Sequence, residues 1–257
     1  MTLIDTHCHL DVEDFDPDRD AVRDRAWRAG VADLVIPAIH AEGWPGLLAL
    51  CAAAHTGPRL HPALGLHPVY LERHRGADLA ALELAVATHR PIAIGEIGLD
   101  YHVRELDPER QQRLFESQLA IARDAGLPVL LHVRKAHDQI LASLRRIRVC
   151  GGIAHAFNGS IQQAEAYIDL GFKLGFGGML TFPRSTKLRR LAVRLPLESL
   201  VLETDAPDMT VAAHQGERNS PEYLPDVLAA LAEVRGADPC EIAARTTLNA
   251  RQVLGLS

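Results

Sequence analysis

The sequence predicts an α/β protein, a single (β/α)8 TIM barrel, on three observations. Its 257 residues are a length at which barrels of this kind occur as one domain. Eight short apolar runs rich in β-branched residues alternate with longer segments of helical period. The runs are apolar almost throughout, as strands become when helices cover both faces of a parallel sheet. Apolar residues make up 47% of the chain and charged residues 23%, which supplies a large core and excludes disorder, collagen-like repeats and a coiled coil.

In chain order, the first strand is expected over 3–5, followed by a helix over 18–29 that ends at Gly30. Strands over 32–36 and 60–64 precede a helix over 77–88, and a strand over 92–95 precedes a helix over 109–125 that ends at Gly126. Strands over 129–132 and 152–155 come next, then a helix over 161–170 ending at Gly171 and strands over 173–176 and 200–203. Glycine is the residue favoured just past a helix C-terminus, which sets three of these stops. Two further helices, 221–235 and 239–254, follow the eighth strand and cover the barrel. No linker, repeat or low-complexity segment divides the chain, so 1–257 reads as one domain, with 217–222 an ordered loop before a helix.

Asp and Glu total 33 against 27 Lys and Arg, a formal net charge of -6. That excludes a broad cationic surface for wrapping nucleic acid, so any polyanion is gripped locally. Cys8, Cys51, Cys150 and Cys240 form no CxxC pair and no dense disulfide spacing, which predicts reduced thiols and a cytoplasmic location. The first residues lack the basic and apolar regions of a signal peptide, and no stretch approaches the roughly 18 apolar residues of a membrane span. Neither a membrane nor an obligate protein partner is expected.

The chemistry begins at the end of the first strand. In Asp5, Thr6, His7, Cys8, His9 the two histidines lie two residues apart, and in extended chain they point the same way and can reach one metal. Cys8 between them then points away, as a core thiol. Alone, such a pair is weak evidence, but active sites of barrels sit at the C-terminal ends of the strands. There the same face receives Glu96, His132, His155 and Asp205 in turn. Of 13 histidines, four fall at strand ends beside two carboxylates, whereas a structural role would scatter them. Imidazoles with carboxylates suit zinc, manganese, iron or similar ions, and six ligands exceed what one tetrahedral ion uses, so two divalent metal ions fit the count.

These residues lie in five ordered segments: DTHCHLD (5–11), AIGEIGLD (93–100), PVLLHVRKAHD (128–138), HAFNGS (155–160) and LETDAPDM (202–209). Together they resemble the TatD family of metal-dependent hydrolases and deoxyribonucleases, closest to its uncharacterised bacterial subgroup, along the whole chain. The resemblance implies that His7, His9 and Asp205 hold one metal, that His132 and His155 hold the other, and that Glu96 bridges the two. It also implies catalysis by metal-assisted hydrolysis in which Glu96 and Asp205 take part, Asp205 as general base or as a ligand only.

Several neighbours are candidates for substrate contact. Arg134, two residues after His132, faces the same mouth and suits a phosphate, or else forms a structural ion pair. His67, in Gly65, Leu66, His67, Pro68, either touches substrate or packs behind the ligands. Asn219, in the Arg218–Asn219 loop that resembles a family segment, is expected over the mouth. Gly175, Gly177 and Gly178 either cradle phosphate or simply permit a tight bend, the reading favoured here. Of the basic stretch Arg184, Lys187, Arg189, Arg190 and Arg194, most read as a solvated helix face, with Arg184 and Lys187 nearest the mouth.

The leading function is a nuclease of 3′ to 5′ exonuclease type, acting on DNA ends bound at the barrel mouth, as the resemblance implies. The alternative is hydrolysis of another ester or amide, such as a D-aminoacyl-tRNA or a small metabolite, since one metal pair serves many leaving groups. A non-catalytic binding module is disfavoured by a ligand set that leaves room for water on each ion.

Overall fold

A computed structural model describes residues 2–256 of the chain. Eight strands, β1 (Leu3–Asp5), β2 (Val31–Pro37), β3 (Arg59–Leu64), β4 (Ala93–Asp100), β5 (Val129–Arg134), β6 (Gly152–Ala154), β7 (Phe172–Phe176) and β8 (Leu200–Leu202), form one parallel sheet in sequence order. Loop contacts bring its two edges together: the Thr6 amide donates to Leu202 (3.1 Å), the Asp205 amide donates to His7 (2.8 Å), and Cys8 bridges to Ala206. The seam of the barrel is thus sealed at the end that carries the ligand candidates.

Outside the strands run α1 (Arg19–Arg28), α2 (Trp44–Ala52), α3 (Asp78–His89), α4 (Pro108–Ala125), α5 (His137–Arg146), α6 (Ile161–Asp169), α7 (Thr186–Arg194), α8 (Leu224–Arg235) and α9 (Pro239–Leu254). Their ends follow local chemistry. The Asp107 carboxylate caps α4 at Glu109 and Arg110, Ser160 and Gln163 form a capping box on α6, and Gly126, Gly236 and Gly255 close α4, α8 and α9 in the left-handed conformation. Helix α2 escapes a sequence reading because Pro45 and Gly46 interrupt its first turn, and α7 coincides with the basic stretch read as a solvated helix face. Among the described residues no helix is long and apolar enough to cross a membrane.

Two apolar layers hold the barrel. Between strands and helices lies the larger, with Leu34, Ile36, Phe115, Leu119 and Phe176 fully buried. Inside the barrel lies the smaller, made of Ile4, Val35, Ala63, Ala93, Leu130, Ile153 and Val201 and closed below by Ala250 and Leu254 of α9. This inner layer sets the direction of the side chains above it on β5, β6 and β8, because strand side chains repeat with period two. His132 follows inward Leu130 by two residues, His155 follows Ile153 by two and Glu203 follows Val201 by two, so all three aim into the mouth.

Glu96 breaks this rule, since it lies three residues after inward Ala93 and a regular strand would turn it to the helix layer. The register between β4 and β5 advances from Ile94 opposite Val129 to Ile97 opposite Leu131, three residues against two. This bulge re-aims the carboxylate inward. It also explains why β4 outruns the predicted 92–95: Gly98, at φ +152°, lets β4 approach β5 where a Cβ would meet the His132 carbonyl oxygen at 1.9 Å.

Candidate metal centre

His7, His9, Glu96, His132, His155 and Asp205, widely spaced in sequence, meet at the C-terminal mouth of the barrel. Glu96, 1% exposed, stands at their centre. Its Oε2 lies 3.2 Å from His7 Nε2 and 3.5 Å from His9 Nε2, while its Oε1 lies 2.8 Å from His155 Nε2, 3.1 Å from His132 Nδ1 and 3.5 Å from His67 Nε2. Asp205 Oδ1 faces His7 and His9 at 3.7 and 3.8 Å. The two carboxylate oxygens of Glu96 thereby sort five imidazoles into two groups.

Proton-sharing alone does not account for this crowding. His7 and His9 present Nε2 atoms to each other at 3.3 Å, and the His7 and His155 rings stack with centroids 4.0 Å apart. Burial drives the His7 pKa down to about 3, reinforced by His155. For His155 and His9 burial also opposes charge, but Glu96 and Asp205 outweigh it and hold their pKa values at about 10 and about 9. Glu96 is buried too, yet His155, His67 and His7 hold it well below the carboxylate range. A carboxylate facing five imidazoles, whose protons a bound cation would displace, is the donor set of a metal centre. Three triads lie close enough to share an ion: His7, His9 and Asp205; His7, Glu96 and His155; and His67, Glu96 and His132.

A layer of buried carboxylates supports these side chains. Asp100 Oδ2 accepts from His132 Nε2 (3.0 Å) and its Oδ1 accepts from the His102 and Val103 amides, which turns His132 Nδ1 toward Glu96. Burial works against the Asp100 charge, but His132 and those amides win and hold its pKa at about 2. Glu203 accepts from the Ala156 amide and stands 3.8 Å from His155 Nδ1, and burial pushes its pKa up to about 8. Asp5 accepts from the Thr204 hydroxyl (2.6 Å) and amide and from the His7 amide, tying the His7 backbone to the loop that carries Asp205. Asp205 itself sits at φ +58°, a left-handed conformation that an aspartate tolerates better than most residues.

Sequence reasoning did not single out Asp5, Asp100 and Glu203, although all three lie within the quoted motifs. For Glu203 the signal was its two-residue offset from apolar Val201. Gly175, Gly177 and Gly178 have a related cause. Gly175 lies inside β7, and a Cβ there would fall 2.0 Å from Glu203 Oε2, while one on Gly178 would fall 2.2 Å from the Met209 carbonyl oxygen. These glycines make room for Glu203 and the β8 loop, a close approach of side chain and backbone in place of the tight bend expected of them.

The proposed substrate residues separate. Arg134 is exposed on the wall of a cavity of about 1910 Å³ above the cluster and makes no ion pair among the described residues. His67, 7% exposed, accepts the Val69 amide at Nδ1 (3.1 Å), which places its proton on Nε2 and makes it a donor toward Glu96. Asn219 departs from expectation: it is fully buried, and its amide nitrogen donates to the Thr204 and Asp208 carbonyls instead of facing the mouth. Arg218 likewise turns aside, pairing with Asp18 and covering the Phe15 ring at 4.4 Å. The loop braces the β8 end from below because its polar groups are consumed by backbone and by α1. Cys8 is buried, where desolvation raises its thiol pKa.

Comparison with known proteins agrees with this architecture. The chain is 44% identical over 251 residues, 96% of its own length and 95% of the relative's, to YjjV of Escherichia coli strain K12, described as an uncharacterised metal-dependent hydrolase. The crystal structure of the Escherichia coli K12 YjjV, a TatD homologue, superposes with a TM-score of 0.93, covering 99% of this chain and 98% of that one at 42% identity. A protein of Erwinia tasmaniensis named 3'-5' ssDNA/RNA exonuclease TatD is 33% identical over 267 residues, 99% of this chain and all of that protein. The model of the TatD related DNase family matches residues 4–255, and the chain is therefore a member of that family of metal-dependent hydrolases.

Proposed function

We propose that this chain is a dinuclear hydrolase that cleaves phosphodiester bonds at the ends of single-stranded DNA, in the manner of a 3′ to 5′ exonuclease. The observation that carries the dinuclear part is the division of five imidazoles between the two oxygens of Glu96, with His7 and His9 beside Asp205 on one side and His132, His155 and His67 on the other. Two divalent ions so held supply Lewis acidity and a water acidic enough to ionise near neutral pH.

The protein's own groups do the rest. Asp205 points Oδ1 at His7 and His9 and leaves Oδ2 without a protein partner among the described residues, so it serves as acceptor for the proton of the attacking water. Burial raises its pKa from the ordinary carboxylate value, against the pull of His155 and His9. His67 brings a hydrogen-bond donor to the same space, and Arg134 offers a guanidinium for a substrate phosphate. Asp100 holds His132 in place, Glu203 sets a buried carboxyl 3.8 Å from His155 Nδ1, and Asn219 acts as a positioning residue for the loop bearing Asp205.

A reconstituted panel tests the activity: 3′-labelled single-stranded DNA, RNA, a D-aminoacyl-tRNA and a simple neutral ester, each with added Mn²⁺ or Mg²⁺. Stepwise loss of the 3′ label from DNA is the expected result, and turnover confined to the ester or the aminoacyl-tRNA would replace the nuclease reading. Arg134→Ala refines it. A charge-assisted phosphate contact contributes about 1.5 to 3 kcal/mol, so phosphodiester turnover should fall by about ten- to a hundredfold while ester hydrolysis changes little. Equal losses on both substrates would make Arg134 structural.

A further inference from the structure

The walls of the cavity above Glu96 carry opposite charge. The β1 loop contributes Asp11, Glu13, Asp14 and Asp16, and the β2 loop contributes Glu42. Asp16 is paired with Arg19, and Glu42 with Arg73 and Arg75, but Glu13 and Asp14 are exposed and make no ion pair among the described residues. The β5 loop contributes Arg134 and Lys135, and the segment after β7 contributes Arg184 and Lys187. These four cations are exposed and likewise without an acidic partner among the described residues, Arg184 lying 5.3 Å above the Phe182 ring and Lys187 donating to the Asn158 carbonyl. In a sheet ordered β1 to β8, β1 stands diametrically opposite β5. The cluster around Glu96 therefore lies between the anionic β1 lip and the cationic β5 lip, with the cations after β7 two strands from each.

We infer that the β1 loop is an electrostatic stop that makes the site selective for chain ends, a step that rests on the nuclease reading above. A single strand carries a phosphate on every nucleotide, and the field of the β5 and β7 cations holds it on their side of the mouth. To be cut internally, the strand would have to continue past Glu96 and cross the opposite lip, where the exposed carboxylates of Glu13 and Asp14 line the cavity and repel a phosphate brought against them. A strand that ends at the cluster places no phosphate there. End selectivity then needs no closed pocket and no steric plug, which matches a cavity as wide as the one observed.

The test compares a linear single-stranded DNA with a covalently closed circle of the same length and sequence, using the full chain with added Mn²⁺. The wild-type protein should degrade the linear strand and leave the circle intact. In Glu13→Lys/Asp14→Lys, linear degradation should stay within about threefold, while the circle is bound about tenfold more tightly and is opened. Two new phosphate contacts should also steepen the salt dependence of circle binding by about 1.4 in log–log slope, at roughly 0.7 per contact for single strands. Glu83→Lys/Glu165→Lys, exposed on α3 and α6, makes the same change in net charge away from the mouth and should gain nothing. Opening of the circle by wild-type protein at the linear rate, or equal gains in the two double variants, would overturn the stop while leaving the nuclease reading in place. If wild-type protein degrades neither substrate, the nuclease reading fails and the stop fails with it.

Discussion

Glu96→Gln is expected to lower hydrolytic turnover by about a thousandfold and to weaken both metal positions at once. The substitution keeps the shape of the side chain but replaces one anionic oxygen with an amide that donates and cannot ligate through nitrogen. Its two oxygens face separate groups, His7 and His9 on one side and His132, His155 and His67 on the other, so no single-site loss is available to it. Bound ions stabilise the transition state by several kcal/mol, and about 4 kcal/mol corresponds to the stated thousandfold. Steady-state rates at saturating metal, read beside metal content, check the expectation. His132→Ala is the contrast, because it should empty mainly one position. A Glu96→Gln protein with full turnover and undiminished metal would remove the bridging role.

Asp205→Asn should reduce kcat by about a hundred- to ten-thousandfold, the range that a positioned general base contributes. Two roles are separable here. As a ligand alone, Asp205 would be rescued by raising the metal concentration until the His7 and His9 position refills. As a base, it leaves a deficit that persists at saturating metal and removes the acid limb of the pH–rate profile, where wild-type activity falls as the carboxylate protonates. The geometry favours the second outcome, since only Oδ1 faces the imidazoles. Full rescue by metal with an unchanged acid limb would restrict Asp205 to ligation.

Much of this was legible in the residues because barrels obey simple periodicities. Apolar runs located all eight strands, and the ends of those runs located His132, His155 and Asp205 on one face. Glu96 was legible as a ligand candidate only by its place after an apolar run; the bulge that points it inward is a property of the β4–β5 register, which no single strand encodes. Asn219 misled because the resemblance of its loop to a family segment set it over the mouth, whereas its amide is drawn under the loop by the Thr204 and Asp208 carbonyls. The charge division of the mouth was hidden for a different reason. The acids at 11–16 carry no signal of their own in sequence, Arg134, Arg184 and Lys187 stand out only one at a time, and only closure of the barrel sets β1 against β5.

Whether one buried carboxylate serves two metal positions is tested most directly by metal content per folded chain. Purified protein loaded with Mn²⁺ or Zn²⁺, freed of excess ion and assayed by elemental analysis, should hold two ions per chain. Anomalous scattering from the same sample should place one ion against His7, His9 and Asp205 and the other against His132 and His155, with Glu96 between them. A saturated wild-type protein that holds one ion per chain, or two ions of which neither touches Glu96, would contradict the account.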